Sequence, residues 1–171
     1  VAVCDRKDLV YTIRVVEDDV LNAFSLPGGY IYIHKGLIDK MDNDDQLAGV
    51  IGHEVAHIVA KHSLKRLQAA YGATILEGAA VVSGHGDLAA GLDLTASSVF
   101  LINSREDEFQ ADRLGVKYMR LAGYDPHQMK PMLAKLLDYQ NKRGLQPKSY
   151  WRTHPYIPLR IAKVDIEASN K

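Results

Sequence analysis

The hydrophobic pattern of the chain changes period near Asn43. Before that point, Leu9 to Val16 is rich in β-branched and aromatic residues and reads as a strand. Glu17-Asp18-Asp19 reads as a turn, and the segments near Leu21 to Ser25 and Gly29 to Ile33 continue a small sheet. After it, Leu47, Val50, Ile51, Val55, Ile58 and Val59 fall at helical spacing and form an apolar stripe that buries a helix. Asn43 followed three residues later by Gln46 resembles a capping box, and Asp44 and Asp45 suit the positive end of the helix dipole. A further helix carries Glu108, another runs from about Asp125 to Asn141 and stops near Gly144, and a last one surrounds Leu159 to Glu167. The expected fold class is α+β, mostly helical, with a small N-terminal β-sheet.

The first of these helices holds His53-Glu54-Val55-Ala56-His57. Two imidazoles four residues apart project from one helix face and can grip one metal ion, with Glu54 beside the first as a built-in base. The alternative, two core histidines bonded to carbonyls, buries two imidazoles and a carboxylate without a metal, which is costly. A catalytic zinc usually takes three protein ligands and leaves one position for water, so a third ligand is expected downstream on a second rigid element. Ser104 to Gly115 offers Glu108 and Asp112 one turn apart on a shared face, as a ligand and the partner of a zinc-bound histidine N–H would be. An ordinary solvated acidic face is the other reading, and Glu106 and Asp107 are assigned to it.

Four blocks together carry a resemblance. His53-Glu54-x-x-His57, Ser104-Arg105-x-x-Glu108-x-x-Ala111-Asp112, His154-Pro155 with Arg160, and the upstream Asn22-Ala23-Phe24 with Leu26 to Tyr32 and Gly36-Leu37-Ile38 stand in this order. The set resembles zinc metallopeptidase family forty-eight, the HtpX-like and CAAX prenyl protease-like gluzincins, over nearly the whole chain. The resemblance implies a zincin-like metallopeptidase domain with one zinc ion on His53, His57 and Glu108, and Glu54 as general base. It implies His154 as donor to the developing oxyanion, Arg160 as the residue that orients its segment, and Asn22, Ala23 and Phe24 as the strand edge that pairs with substrate. The substrates so implied are protein or peptide segments in extended form, including misfolded envelope proteins. A cell-envelope setting, periplasmic or membrane-associated, goes with them. A rival reading stays open, a latent metal-bound capture module in which His154 fills the fourth coordination position; the presence of Glu54 argues against permanent inactivity.

Composition narrows the rest. At 171 residues and 47% hydrophobic content the chain can bury one core, and no Pro- or Ser-rich linker divides it, so residues 1–171 are expected to form one catalytic domain. Lys plus Arg and Asp plus Glu both number 21, which gives no electrostatic footprint for nucleic acid. The single Cys4 excludes an internal disulfide framework and reads as a packed or surface thiol. Val1 in place of Met, with no apolar leader after it, reads as a processed piece whose N-terminal region lies outside the sequence. Between Gly72 and Asn103, Glu77, His85, Asp87 and Asp93 interrupt an apolar stretch, so no run reaches the roughly 18 residues needed to span a bilayer. Two weak helices joined near Ser83 to Gly86 are expected there, with His85 on the loop; His34, His62 and His127 are expected to be solvent-exposed.

Overall fold

The computed structural model describes residues 1–69, 71–72, 102–144 and 149–170, so the expected helix pair around Ser83 to Gly86, and His85, lie outside the described residues. Three strands, β1 (Thr12–Val16), β2 (Ala23–Leu26) and β3 (Tyr30–His34), form one sheet in the order β1-β3-β2. β1 runs parallel to β3, with Thr12 opposite Tyr30, whereas β2 runs antiparallel to it, with Ala23 opposite Ile33. The first strand is shorter than its pattern predicts. Pairing begins only where β3 begins: Thr12 N–H donates to Gly29 O at 2.9 Å, and Val10 before it is exposed. Gly29 turns the chain into β3 at φ +97°, and a Cβ there would lie 2.3 Å from Val10 O, so no other residue fits.

A short helix, α1 (Lys35–Ile38), follows β3, and α2 (Asp44–Val59) carries both histidines of the motif. Asn43 Oδ1 accepts the Gln46 N–H at 2.9 Å, as expected of an N-cap. The Gln46 side chain reaches back one residue further than a capping box requires, accepting from Asp42 N at 3.0 Å. α2 then packs against α3 (Arg105–Leu121), β2 and α4 (Met129–Arg143). A 3₁₀ turn over Pro126–Gln128 leads into α4, and Gly144 at φ +67° ends it, where the sequence places the stop. The last elements are α5 (Tyr150–Thr153) and α6 (Ile157–Ser169). Val50, Val55 and Ala56 of α2 join Ile31, Ile33, Met119, Met132 and Leu136 in the hydrophobic core.

The approach of α2 to α3 sets the position of everything discussed below. The two backbones touch at a pair of glycines: a Cβ on Gly52 would meet Gly115 O at 3.2 Å, and a Cβ on Gly115 would meet His53 N at 3.2 Å and Met129 Cε at 3.0 Å. Gly115 stands seven residues after Glu108 and three after Asp112, so all three face α2. A larger residue at the crossing would hold Glu108 away from the histidines. Gly52→Ala gains about 1 kcal/mol of helix propensity. It also crowds a backbone carbonyl that cannot rotate away, at a cost of about 1–3 kcal/mol. The expected outcome in urea denaturation is a net loss of stability; a more stable variant would show that the crossing has room to spare.

Candidate metal centre

His53 and His57 stand one turn apart on α2, both buried, with their Nε2 atoms 2.9 Å from each other. α3 brings Glu108 to the same point: its Oε1 lies 3.3 Å from His57 Nε2 and its Oε2 3.5 Å from His53 Nε2. His154, the residue that closes α5, completes the group with Nδ1 at 3.2 Å from His53 Nε2 and 3.1 Å from Glu108 Oε1. One ligand atom from each of the four residues lies within 4.8 Å of all the others. Donor atoms around a tetrahedral ion bound at about 2.1 Å stand roughly 3.4 Å apart, so the set matches that geometry with slight contraction.

Charge tests the fit independently. Glu54, Glu108 and Asp112 are buried carboxylates at this centre; the fully buried Arg160 binds Glu108 and Asp112, and the half-buried Arg66 interacts electrostatically with Glu54 and Glu108. The fully buried carboxylates outnumber the fully buried guanidinium, and with the imidazoles neutral, as a bound metal would require, a divalent cation would offset that excess of negative charge. Glu54 makes the deficit local. Both of its oxygens are buried without an aligned hydrogen-bond partner among the described residues, and His154 Nε2 stands 3.3 Å from Oε1. An isolated buried carboxylate of this kind is expensive unless a cation or a proton serves it.

Asp112 sits where its spacing predicts, with Oδ1 at 2.9 Å from His53 Nδ1. Arg160 on α6 binds both of its oxygens, Nε to Oδ2 at 2.8 Å and Nη2 to Oδ1 at 2.7 Å. The same guanidinium reaches Glu108 Oε2 at 2.7 Å and the carbonyl of His154 at 3.5 Å. Burial raises the Glu108 carboxyl, but Arg160, His154 and His53 outweigh it and hold the group well below the usual carboxylate range. Asp112 is held down against burial in the same way, chiefly by Arg160. Burial and the neighbouring His53 push His57 down to about 3, which keeps it a neutral ligand.

The three residues expected at the substrate edge lie at the start of β2 beside His154. Ala23 O is 3.3 Å from His154 Nε2, Asn22 Oδ1 accepts from Thr153 Oγ1 at 3.4 Å, and Phe24 stacks on Tyr32 with centroids 5.1 Å apart. Asn22 O accepts the His34 N–H across the sheet at 3.0 Å. By alternation Phe24 also bonds toward β3, and the backbone groups of Ala23 and Ser25 face outward.

Other expectations need correction. His62 is buried, since Lys61 adopts a left-handed φ of +60° and folds the chain back so that the following helical stretch, 62–69, returns His62 to His57. His34 is buried because its Nδ1 reaches Asp18 Oδ1 at 2.6 Å. His127 and Glu106 are exposed, as expected, but Asp107 is half-buried. It accepts from Ser104 N at 3.3 Å while Ser104 Oγ accepts from Asp107 N at 3.1 Å, a capping box that Ser-x-x-Asp displays in the sequence. Two contributors go beyond the sequence reading: Asn103, whose Nδ2 donates to Thr153 O at 2.9 Å and which carries no signal, and Tyr150, whose ring stacks on His154 at 4.4 Å and whose spacing of four residues from it is the signal that could find it.

The neighbouring acidic residues give opposite expectations for metal content. Glu108→Ala should weaken zinc binding strongly, and Glu106→Ala, at an exposed position, should leave it unchanged. Asp112→Asn should cost about 10- to 100-fold in zinc affinity, because an amide accepts the His53 N–H less strongly. Chelator competition on purified variants reads all three; unchanged affinity in Glu108→Ala would remove that residue from the centre.

Comparison with known proteins agrees with this geometry. The chain is 31% identical over 173 residues to the mitochondrial metalloendopeptidase OMA1 of Schizosaccharomyces pombe, a match covering 96% of this chain and 49% of the relative. It is 30% identical over 159 residues to the beta-barrel assembly-enhancing protease of Escherichia coli, covering 86% of this chain and 32% of the relative. OMA1 of Arabidopsis thaliana is 34% identical over 147 residues, 85% of this chain and 29% of the relative. The chain thus spans between about a third and a half of the length of these relatives. Residues 1–168 match the family described as Peptidase family M48, and with two histidines, a glutamate one helix away and a buried carboxylate beside them, the chain belongs to that family.

Proposed function

We propose that residues 1–171 form one catalytic domain of a zinc-dependent endopeptidase that hydrolyses extended segments of protein or peptide substrates. The observation that carries this reading is Glu54, a buried carboxylate without an aligned partner beside four converging ligand atoms. His53, His57 and Glu108 would hold one zinc ion, which when bound supplies a Lewis acid that acidifies water and polarises a carbonyl. Glu54 takes a proton from the attacking water as its oxygen adds to the carbonyl carbon. It passes that proton to the amide nitrogen as the C–N bond breaks, leaving a carboxylic acid and an amine, and the acid's remaining proton then goes to the amine to give a carboxylate and an ammonium. Asp112 and Arg160 keep His53 and Glu108 oriented throughout. An extended peptide would add to the outer edge of β2, pairing with the backbone of Ala23 and Ser25.

Two relatives are named as mitochondrial and one for beta-barrel assembly, which supports substrates among extended or misfolded envelope proteins and a membrane-associated or periplasmic setting. Among the described residues no helix is long and apolar enough to cross a membrane.

A second reading, latency, has its own observation. Ala23 O accepts at His154 Nε2 and Asn103 Nδ2 approaches Nδ1 as a donor at 3.2 Å, so the tautomer protonated on Nε2 would offer a lone pair at Nδ1 to a metal shared with His53 and Glu108. That lone pair would serve as a fourth donor to the metal in place of a water. In this arrangement His154 would hold the enzyme closed until its segment withdraws, whereas as an oxyanion donor it would serve the reaction itself.

Two variants separate these roles. Glu54→Gln should keep near-stoichiometric zinc and lose about 100-fold or more in peptide hydrolysis, the scale of a general base; wild-type turnover would sink the mechanism. His154→Ala is expected to raise turnover of a flexible peptide at unchanged zinc content. A fall of about 100- to 1,000-fold would instead make His154 the oxyanion donor.

A further inference from the structure

His62 is a buried polar residue beside the centre that the endopeptidase mechanism leaves without a role. Its Nδ1 lies 2.8 Å from Nδ1 of His57, and its Nε2 lies 3.1 Å from Gln110 Oε1 and 3.2 Å from Asp107 Oδ1. Two ring nitrogens at 2.8 Å share a single proton, and the outer partners decide which ring carries it. The amide oxygen of Gln110 and the carboxylate of Asp107 only accept. His62 therefore keeps its proton on Nε2 and presents a lone pair at Nδ1. His57 then carries its own proton on Nδ1 and leaves Nε2 as a lone pair, aimed at the point where His53 Nε2 and Glu108 Oε1 converge at 2.9 and 3.3 Å.

We propose that His62 is a positioning residue for His57: its Nδ1 accepts the His57 N–H, fixing the ring angle and the tautomer that offers Nε2 to zinc. The proposal rests on the reading of this centre as a zinc site. His53 already has such an acceptor in Asp112, and a metal-bound histidine almost always gives its second N–H to one. For His57 the acceptor is a neutral imidazole, which a chain of two further acceptors on α3 orients in turn. The backbone supports a specific placement, since Lys61 takes up a left-handed conformation to bring His62 back against α2.

Zinc affinity by chelator competition, with ring-nitrogen NMR on the zinc-loaded wild-type chain, tests this without reading activity. His62→Leu should weaken zinc by about 10- to 100-fold. His62→Asn, whose amide oxygen stands on the same γ-carbon position as the lost Nδ1, should recover most of that loss, and the melting of both metal-free variants shows whether the fold survives. The spectrum of the wild type should show His57 protonated at Nδ1 and His62 at Nε2. Unchanged affinity in both variants, an equal loss in both, or a His62 proton on Nδ1 would each overturn the proposal, and the spectrum decides even where His62→Leu does not fold. A wild-type chain that binds no zinc would overturn the endopeptidase reading along with it, whereas zinc binding indifferent to His62 overturns this inference alone.

Discussion

The guanidinium of Arg160 is fully buried, and the arrangement of the centre depends on it. It binds both oxygens of Asp112, one oxygen of Glu108 and the carbonyl of His154, thereby joining α6, α3 and the end of α5 at one cation. Burying a charge of this kind is tolerated when each donor finds an acceptor, and removing one partner is far more damaging than the pair is stabilising. Glu54 lies beside the same ligands without an aligned partner, so the buried carboxylates of the centre outnumber its fully buried guanidinium. The same interaction that orders the ligands thus also prepares a place for a divalent ion. Where α2 crosses α3 at Gly52 and Gly115, backbone contact holds the histidines and Glu108 at the separation this balance requires.

How much of this could be read from the chain depended on whether a local period carried the information. His53, Glu54 and His57 lie within one helical repeat, and Glu108 and Asp112 share a face by the same arithmetic, so both helices and their inward groups were legible. Strand ends were less so, because β1 is terminated by the length of its partner and not by its own residues. His62 falls five residues after His57 across the left-handed Lys61, which breaks the helical register, and a histidine beyond such a break reads as surface. Asn103 reaches His154 through tertiary packing, for which spacing offers no guide, whereas Tyr150 stands one helical turn before it and is legible only once that segment is known to be helical. The polar network thus became visible only when the helices were assembled.

In the proposed function, the outer edge of β2 would link the metal centre to substrate. Its outward carbonyls are both engaged by side chains, Ala23 O by His154 and Ser25 O by Ser63 Oγ at 3.3 Å. An incoming peptide strand would have to exchange with these contacts, and in doing so would draw His154 away from Ala23. Substrate pairing and withdrawal of a fourth metal donor would then be one event, so that the centre opens when an extended chain lies along the edge.

The central claim, that His53, His57 and Glu108 converge on one divalent ion, is tested most directly by diffraction from crystals of the zinc-loaded chain at energies on either side of the zinc absorption edge. One anomalous peak per chain is expected, bonded to Nε2 of both histidines and to the Glu108 carboxylate. A zinc peak elsewhere with this position empty, or a peak here that Glu108 does not touch, would contradict it.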